Sequence, residues 1–234
     1  MKAMILAAGR GERMRPLTDH TPKPLLQVGQ HALIEWHLLK LAAAGITDIV
    51  INVAWLGERI QAHLQDGSRY GVSIRYSPEA NALETAGGIK NALPLLGDEP
   101  FLIINGDVYT DWTPQLNSTI AASLTTQQVL AHVYLVDNPP HHPQGDFYYC
   151  PNSTLLLEAP PSVSSQAYTY SGIGYYHPEF FHSVEQGSAA PLGPLLREHI
   201  HHQQVSACLH TGQWVDVGTP ERLQALNQQL GENS

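Results

Sequence analysis

Short apolar runs alternate with amphipathic segments through the first half of the chain, and this alternation constrains the fold more than any other feature. Residues 3–7, 48–53, 72–76 and 101–105 have the length and apolar content of strands. Segments 31–44, 56–64 and 89–93 have the spacing of helices. Strands that alternate with helices are typical of a parallel sheet whose crossover helices cover both faces. We therefore predict an α/β fold with a Rossmann-like, mixed but mostly parallel central sheet.

The second half of the chain has shorter strand patterns and fewer helices. A strand is predicted over 129–136, and short strands over 147–150, 154–157 and 168–176. Helices are predicted over 195–202 and 221–230, with a strand pair, 205–209 and 213–217, between them. These segments predict a small antiparallel extension of the sheet rather than a separate domain.

Composition excludes several classes of function. Lys and Arg number 12 against 21 Asp and Glu, a net charge of −9, which disfavours nucleic-acid binding. Apolar runs stop well short of the ~18 residues of a membrane span, so no membrane association is expected. Two cysteines, Cys150 and Cys208, are too few for a disulfide framework and predict reduced thiols in a cytoplasmic protein.

The loop after the first strand has the composition of a phosphate-binding loop. Gly9 and Gly11 allow backbone N–H groups to approach a phosphate chain, while Arg13 and Arg15 add positive charge. A dinucleotide fingerprint would need a third glycine where Met14 stands, and a P-loop would need Gly-Lys-Ser/Thr. An ordinary glycine turn with surface arginines remains the alternative.

Three further residues carry the charges that phosphate chemistry needs. Lys23 lies between two prolines that stiffen its backbone. Asp107 follows the strand 101–105, at the sheet edge where α/β proteins bind ligands, and carboxylates suit Mg²⁺. Asp216 ends a later strand and is a candidate for a second metal carboxylate. Taken singly, Lys23 could be a solvated lysine and Asp216 a turn residue, and Asp111 is expected to be a turn or cap residue.

Together these motifs resemble the sugar-phosphate nucleotidyltransferase family. The chain carries G-x-G-x-R-x-x-P-L-T over 9–18, P-K-P over 22–24, G-D at 106–107 and W-x-D-x-G-T over 214–219. The resemblance extends from residue 2 to about residue 226 and implies the nucleotidyltransferase fold. It implies one domain over 1–234, with a nucleotide-binding half (1–111), a sugar-binding half (112–234) and no C-terminal β-helix.

The resemblance also implies roles for particular residues, with Mg²⁺ as cofactor. The catalytic residues would be Arg13, Lys23 and Asp107. The nucleotide would be bound by Ala8, Gly9, Gly11, Glu12, Arg13, Lys23, Glu79, Thr85, Gly87 and Gly88. The sugar would contact Asn105, Asp146, Ser171 and Gly172. The metal would be held by Asp107 and Asp216.

Some stretches resemble one branch of the family, which transfers a uridylyl group from UTP to N-acetylmuramic acid 1-phosphate in peptidoglycan recycling. These stretches are 51–57, 66–71 with 76–79, and 137–147. Thymidylyltransferases and related members usually have Glu-Lys-Pro where this chain has Glu158-Ala159-Pro160, which argues against a plain glucose 1-phosphate enzyme. The partners implied are UTP and a sugar 1-phosphate, in a monomer or small homo-oligomer. A mannose-1-phosphate guanylyltransferase, a glucose-1-phosphate thymidylyltransferase and a non-catalytic nucleotide-sugar sensor remain alternatives.

Other conspicuous side chains are expected to be structural. His199, His201 and His202 lie on one predicted helix, and a solvated helix face explains them better than a Zn²⁺ site. Trp55 is expected to be a packing residue.

Overall fold

A mixed sheet of nine strands forms the centre of the computed structural model, which describes residues 1–115, 118–149, 155–160 and 166–232. The strands are β1 (Lys2–Leu6), β2 (Gln27–Val28), β3 (His31–Ala32), β4 (Asp48–Val53), β5 (Ser73–Pro78), β6 (Phe101–Asn105), β7 (Val108–Thr110), β8 (Ala131–Val136), β9 (Phe147–Tyr149), β10 (Leu156–Leu157), β11 (Ala167–Tyr176), β12 (Val205–Leu209) and β13 (Trp214–Asp216). The helices are α1 (Leu33–Ala43), α2 (Gly57–Leu64), α3 (Glu84–Leu96), α4 (Ser118–Thr125), α5 (Leu192–His201) and α6 (Pro220–Glu232).

The first-half strands form the parallel core of this sheet. They lie in the order β6-β1-β4-β5, and Ala3 pairs with Leu102 on one side and with Ile49 on the other. β11 continues the sheet antiparallel to β6, and β8 and β9 both pair antiparallel with β11. The mixed, mostly parallel sheet and its antiparallel extension are thus confirmed.

Two apolar layers enclose the sheet because side chains alternate along each strand. In β4, Ile49 and Ile51 contribute to one layer while Val50 contributes to the other. The first layer contains residues of α1, α2 and α4, and the second contains residues of α3 and α5. Each such side chain, fully buried, contributes about 1.5–3 kcal/mol of hydrophobic stabilisation.

Helix α3 begins earlier than the sequence predicted. We expected a loop ending at Gly87-Gly88 with a helix over 89–93, but α3 begins at Glu84 and includes both glycines. A Cβ at Gly87 would lie 2.3 Å from the carbonyl oxygen of Ser188, and one at Gly88 would lie 2.5 Å from Oε1 of Glu79. The glycines therefore allow the helix to pack closely against its neighbours, and the glycine pair was wrongly interpreted as a helix breaker.

The strands predicted at 205–209 and 213–217 are present, but they do not pair with each other. β12 lies parallel to β8 at the edge of the main sheet, whereas β13 pairs with β7 in a separate ribbon. Neither β7 nor α4 was predicted, because a three-residue strand and an eight-residue helix carry little periodic signal. Cys150 and Thr154, at the ends of two predicted strands, lie outside the described residues.

Of the three histidines expected on a solvated helix face, His201 and His202 are exposed, whereas His199 packs against its neighbours. His199 stacks on Phe180, and its ring nitrogens lie 2.8 Å from Oε1 of Gln204 and 3.0 Å from the carbonyl oxygen of Phe180. Within the described ranges, His, Cys, Asp and Glu nowhere gather in a group of three that could hold a metal. Burial raises the pKa of the Cys208 thiol to about 11, so this free cysteine is protonated at neutral pH. The described helices include none long and apolar enough to cross a bilayer.

Candidate active site

A cleft of about 600 Å³ opens beyond the carboxyl ends of β1, β4 and β6. This is the sheet edge at which open α/β folds bind ligands. We call it the central cleft. It is lined by Leu6, Ala7, Ala8, Gly9, Arg10, Lys23, Pro24, Asn52, Ala54, Trp55, Glu79, Ala80, Asn81, Ala82, Leu83, Glu84, Thr85, Asn105, Gly106 and Asp107.

Buried hydrogen bonds fix the floor of the central cleft. The backbone N–H of Ala7 donates to Oδ1 of Asn52 (2.8 Å), and Nδ2 of Asn52 donates to Oε1 of Glu79 (2.7 Å). The second oxygen of Glu79 accepts from the N–H of Leu83 (3.3 Å). All four residues are buried, so the network ties the ends of β1, β4 and β5 together. Glu79, predicted to contact the nucleotide, lines the cleft with both carboxylate oxygens already accepting hydrogen bonds, and the nucleotide contact stays a prediction.

Only part of the first loop reaches the cleft. Ala8 and Gly9 line it, whereas Gly11, Glu12 and Arg13 do not. Gly11 has a φ of +67°, which favours glycine, and a Cβ there would lie 3.1 Å from Cγ2 of Thr18. Glu12 and Arg13 are exposed on the single turn that follows. The phosphate contacts predicted for Gly11, Glu12 and Arg13 stay predictions.

Arg10 and Trp55 line the cleft, although neither was selected from the sequence as a site residue. The guanidinium carbon of Arg10 lies 3.7 Å from the ring centroid of Trp55, a cation–π contact. Both side chains donate to the carbonyl oxygen of Thr18, at 3.0 Å from Arg10 and 3.2 Å from Trp55. Trp55 is 36% exposed and packs against Arg10, so its interpretation as a packing residue stays a prediction.

An ion pair joins the Pro-Lys-Pro motif to the end of β6. Nζ of Lys23 lies 2.7 Å from Oδ2 of Asp107, and both side chains line the central cleft. Lys23 is only 8% exposed, so its stem is enclosed while its ammonium group reaches the cleft. The solvated-lysine alternative is therefore wrong.

Backbone pairing brings the second aspartate next to the first. β13 runs antiparallel to β7 with Asp216 opposite Val108, and the N–H of Val217 donates to the carbonyl oxygen of Asp107 (3.0 Å). Oδ2 of Asp216 lies 2.6 Å from Nη1 of Arg222. The ring of His141 completes this cluster, 3.4 Å from the same carboxylate oxygen. Sequence reasoning missed Arg222, which lies six residues after Asp216, because the turn between β13 and α6 brings the two together and no periodic pattern relates them.

The donor set at the two aspartates suits Mg²⁺. Each carboxylate has one oxygen bonded to a cation, and within the described part of the chain the other oxygen, Oδ1 of Asp107 and Oδ1 of Asp216, has no hydrogen-bond partner. Mg²⁺ is usually held by one or two carboxylates together with substrate phosphates and water. The residues present therefore fit a magnesium ion that completes its coordination from a bound nucleotide.

A second pocket of about 490 Å³ adjoins the central cleft and shares Glu84, Thr85 and Asn105 with it. We call it the side pocket. Its other lining residues are Asp146, Phe147, Tyr170, Pro191, Leu192, Gly193, Leu196 and Arg197.

Two of the four residues predicted to contact a sugar, Asn105 and Asp146, line the side pocket, and Ser171 and Gly172 do not. Asp146 is held by the N–H of Tyr170 (2.8 Å) and by Nε2 of His142 (3.0 Å). Gly172 lies behind Asn105: it has a φ of +79°, and a Cβ there would lie 2.5 Å from Nδ2 of Asn105. Ser171 is buried, and its carbonyl oxygen accepts from Nε1 of Trp214. Asn105 and Asp146 thus line one pocket.

Comparison with known proteins gives the family. The family model described as nucleotidyl transferase matches residues 2–233. The chain belongs to the nucleotidyl transferase family. The side pocket and the central cleft are therefore features of a nucleotidyl transferase.

Two relatives and one solved structure match along nearly the whole chain. An N-acetylmuramate alpha-1-phosphate uridylyltransferase of Neisseria meningitidis serogroup B is 56% identical over 232 residues, 99% of each chain. A protein of the same name from Caulobacter vibrioides is 30% identical, over 98% of this chain and 97% of its own. A Bacillus anthracis structure described as a glucose-1-phosphate thymidylyltransferase superposes with a TM-score of 0.79 at 25% identity, over 98% of this chain and 94% of that one.

In this nucleotidyl transferase, two glycines predicted to contact the nucleotide lie outside the cleft. Gly87 and Gly88 are buried in α3, and the N–H of Gly87 donates to the carbonyl oxygen of Ala190 (3.1 Å). Their packing against Ser188 and Glu79 gives them a structural role. Thr85, one turn earlier, does line the cleft.

Proposed function

We propose that this chain transfers a uridylyl group from UTP to N-acetylmuramic acid 1-phosphate, giving UDP-N-acetylmuramic acid and pyrophosphate. The observation that carries the proposal is the 56% identity, over 99% of both chains, with the Neisseria uridylyltransferase of that acceptor. The two adjoining pockets support it, because a nucleotide donor and a sugar phosphate acceptor must be bound together.

The nucleotide is assigned to the central cleft. The backbone of Ala8 and Gly9 and the ammonium group of Lys23 would bind the triphosphate, since N–H groups and a positioned cation neutralise phosphate charge. Glu79 and Thr85 would contact the base and ribose. Arg13 is exposed and does not line the central cleft, so its guanidinium group would reach the triphosphate from the solvent side of the cleft.

The acceptor is assigned to the side pocket. Asn105 and Asp146 would hydrogen-bond the sugar, and Thr85 and Asn105 line both pockets. Holding the two substrates at this shared wall replaces a collision in solution with a reaction between positioned groups, which lowers the entropic part of the barrier.

In the reaction, an oxygen of the sugar phosphate attacks the α-phosphorus of UTP in line, and the bond from this phosphorus to the bridging oxygen of pyrophosphate breaks. Phosphoryl transfer of this kind requires the protein to position the substrates and neutralise charge, and it requires no covalent intermediate. Lys23 would neutralise charge between the two phosphates while its bond to Asp107 keeps it in place. Mg²⁺, held by Asp107 and Asp216, would neutralise triphosphate charge when bound.

Pyrophosphate release with a matrix of substrates tests this proposal. The nucleotides are UTP, GTP and dTTP, and the acceptors are the 1-phosphates of N-acetylmuramic acid, N-acetylglucosamine, glucose and mannose. We expect the highest kcat/KM for UTP with N-acetylmuramic acid 1-phosphate. A higher kcat/KM with GTP and mannose 1-phosphate, or with dTTP and glucose 1-phosphate, would contradict it. Nucleotide binding without any pyrophosphate release would indicate the sensor instead.

A further inference from the structure

One wall of the side pocket is built by helix α5 and differs chemically from the rest. Leu192 and Leu196, one helical turn apart, present apolar side chains to the pocket, and Phe147 of β9 lies beside them. Gly193 leaves open space, because nothing lies within 4 Å of the position of a Cβ there. This wall can accommodate a small branched substituent.

A single cation completes this wall. Among the described residues that line the side pocket, Arg197 alone carries a positive charge. Its guanidinium carbon lies 5.2 Å from the centroid of the Phe147 ring, a cation–π contact that restrains an otherwise exposed side chain. No Asp or Glu of the described chain lies within ion-pair distance of Arg197, so its hydrogen-bond donors remain available.

The acids of the side pocket make an uncompensated anion unfavourable there. Asp146 already accepts from Tyr170 and contacts His142, and Glu84 is exposed at the boundary with the central cleft. A second negative group on the acceptor, besides its phosphate, would be repelled by these carboxylates unless a cation paired with it. Lys23 lies in the central cleft and is paired with Asp107, so in the side pocket Arg197 is the cation that can pair with a second negative group on the acceptor.

We propose that Arg197 binds the carboxylate of the lactyl ether of N-acetylmuramic acid 1-phosphate and is the residue that selects this acidic sugar. The inference rests on the proposed function. The planar guanidinium offers two parallel N–H donors that match a carboxylate, and Leu196 and Phe147 contact the methyl group of the lactyl ether. Arg197 is a specificity residue, remote from the reacting phosphorus.

The test compares two acceptors that differ only in the lactyl ether, N-acetylmuramic acid 1-phosphate and N-acetylglucosamine 1-phosphate. Dissociation constants are measured by calorimetry with a nonhydrolysable UTP analogue bound, and kcat/KM is measured with UTP. We expect Arg197→Met to weaken binding of the muramic acid 1-phosphate by roughly 10- to 100-fold, the value of a charge-assisted hydrogen bond, and to leave the glucosamine compound nearly unchanged. Arg197→Lys would recover part of the loss, since it keeps the charge but not the bidentate geometry.

The matched control is Glu198→Gln, the next residue of the same helix, which is exposed and does not line the pocket. This variant is expected to leave the dissociation constants and kcat/KM of both acceptors unchanged. If Arg197→Met weakens both acceptors equally, or neither, Arg197 does not read the carboxylate, even though the proposed function stands. If the unaltered protein binds the two acceptors equally well, the proposed acceptor itself is wrong.

Discussion

Asn52 connects the loop at the central cleft to the buried acid Glu79, and Asn52→Asp tests this connection. The substitution keeps the size and shape of the side chain and the oxygen that accepts from the N–H of Ala7. It replaces the Nδ2 donor to Glu79, now 2.7 Å away, with a carboxylate oxygen.

The expected cost follows from burial. Glu79 is 8% and Asn52 is 3% exposed, so solvent cannot screen two carboxylates placed at hydrogen-bond distance. Loss of a hydrogen bond to a charged group costs about 1.5–3 kcal/mol, and repulsion between like charges adds to it. We therefore expect Asn52→Asp to lower the free energy of unfolding by at least about 2–3 kcal/mol at pH 8.

The sign of the pH dependence distinguishes this cause from simple damage. Two adjacent carboxylates raise the pKa of one of them above its unfolded value. The folded variant therefore takes up a proton that the unfolded chain does not, and its deficit relative to the unaltered protein shrinks as the pH falls from 8 to 5. The shared proton restores a hydrogen bond between the two side chains.

Urea unfolding at pH 8 and pH 5 measures both effects. Asn91→Asp is the control, because Asn91 is half-buried and its Nδ2 donates to the hydroxyl of Ser77 (3.3 Å) rather than to an acid. A loss of stability in Asn52→Asp below about 0.5 kcal/mol, or a deficit that does not change with pH, would refute the argument.

Three further perturbations have defined outcomes. Lys23→Met removes the cation paired with Asp107, and we expect kcat to fall by roughly 100-fold or more; less than a tenfold loss in a pyrophosphate-release assay would contradict the role of Lys23. Trp55→Ala removes the ring on which Arg10 rests, and we expect the dissociation constant for UTP to rise about 2- to 5-fold in calorimetry, whereas an unchanged constant would exclude this pair from nucleotide binding. Burial lowers the pKa of His37 and of His132 to about 4, with Lys40 adding to the effect at His37. Between about pH 6.5 and pH 4 only the unfolded chain protonates these rings, so the free energy of unfolding, measured in urea, is expected to fall as the pH falls, by up to about 1.4 kcal/mol per pH unit for each ring. His132→Phe is expected to show a smaller slope, and an equal slope would show that His132 does not contribute to this pH dependence.

The parallel core was predictable from the sequence because its strands carry a simple signal. β4 and β6 are short apolar runs bounded by polar residues, and their limits were predicted correctly. Asp107 was predictable for the same reason, since a residue at the carboxyl end of a parallel strand reaches the ligand side of the sheet. Lys23 was found differently, from the two prolines that stiffen its backbone.

Features that depend on distant segments were not predictable. Gly87 and Gly88 look like a break in the sequence, yet the approach of Ser188 and Glu79 makes glycine necessary within a helix. Arg197 carries no motif and enters the site only because α5 packs beside β9. The periodicity of apolar residues predicts one helix or strand at a time, whereas the roles of these residues arise where two distant segments contact each other.

The proposed reaction depends most on Asp107, which lines the central cleft, and Asp216, beside it on β13, holding one Mg²⁺. The most direct test measures Mg²⁺-dependent pyrophosphate release and Mn²⁺ binding to the UTP complex in Asp107→Asn and Asp216→Asn, with Asp111→Asn, an exposed neighbour bonded to His210, as the control. We expect each of the first two variants to lose at least about 100-fold in rate and to bind Mn²⁺ more weakly, while the control keeps both properties. Asp107→Asn with full activity and undiminished Mn²⁺ binding would contradict the account.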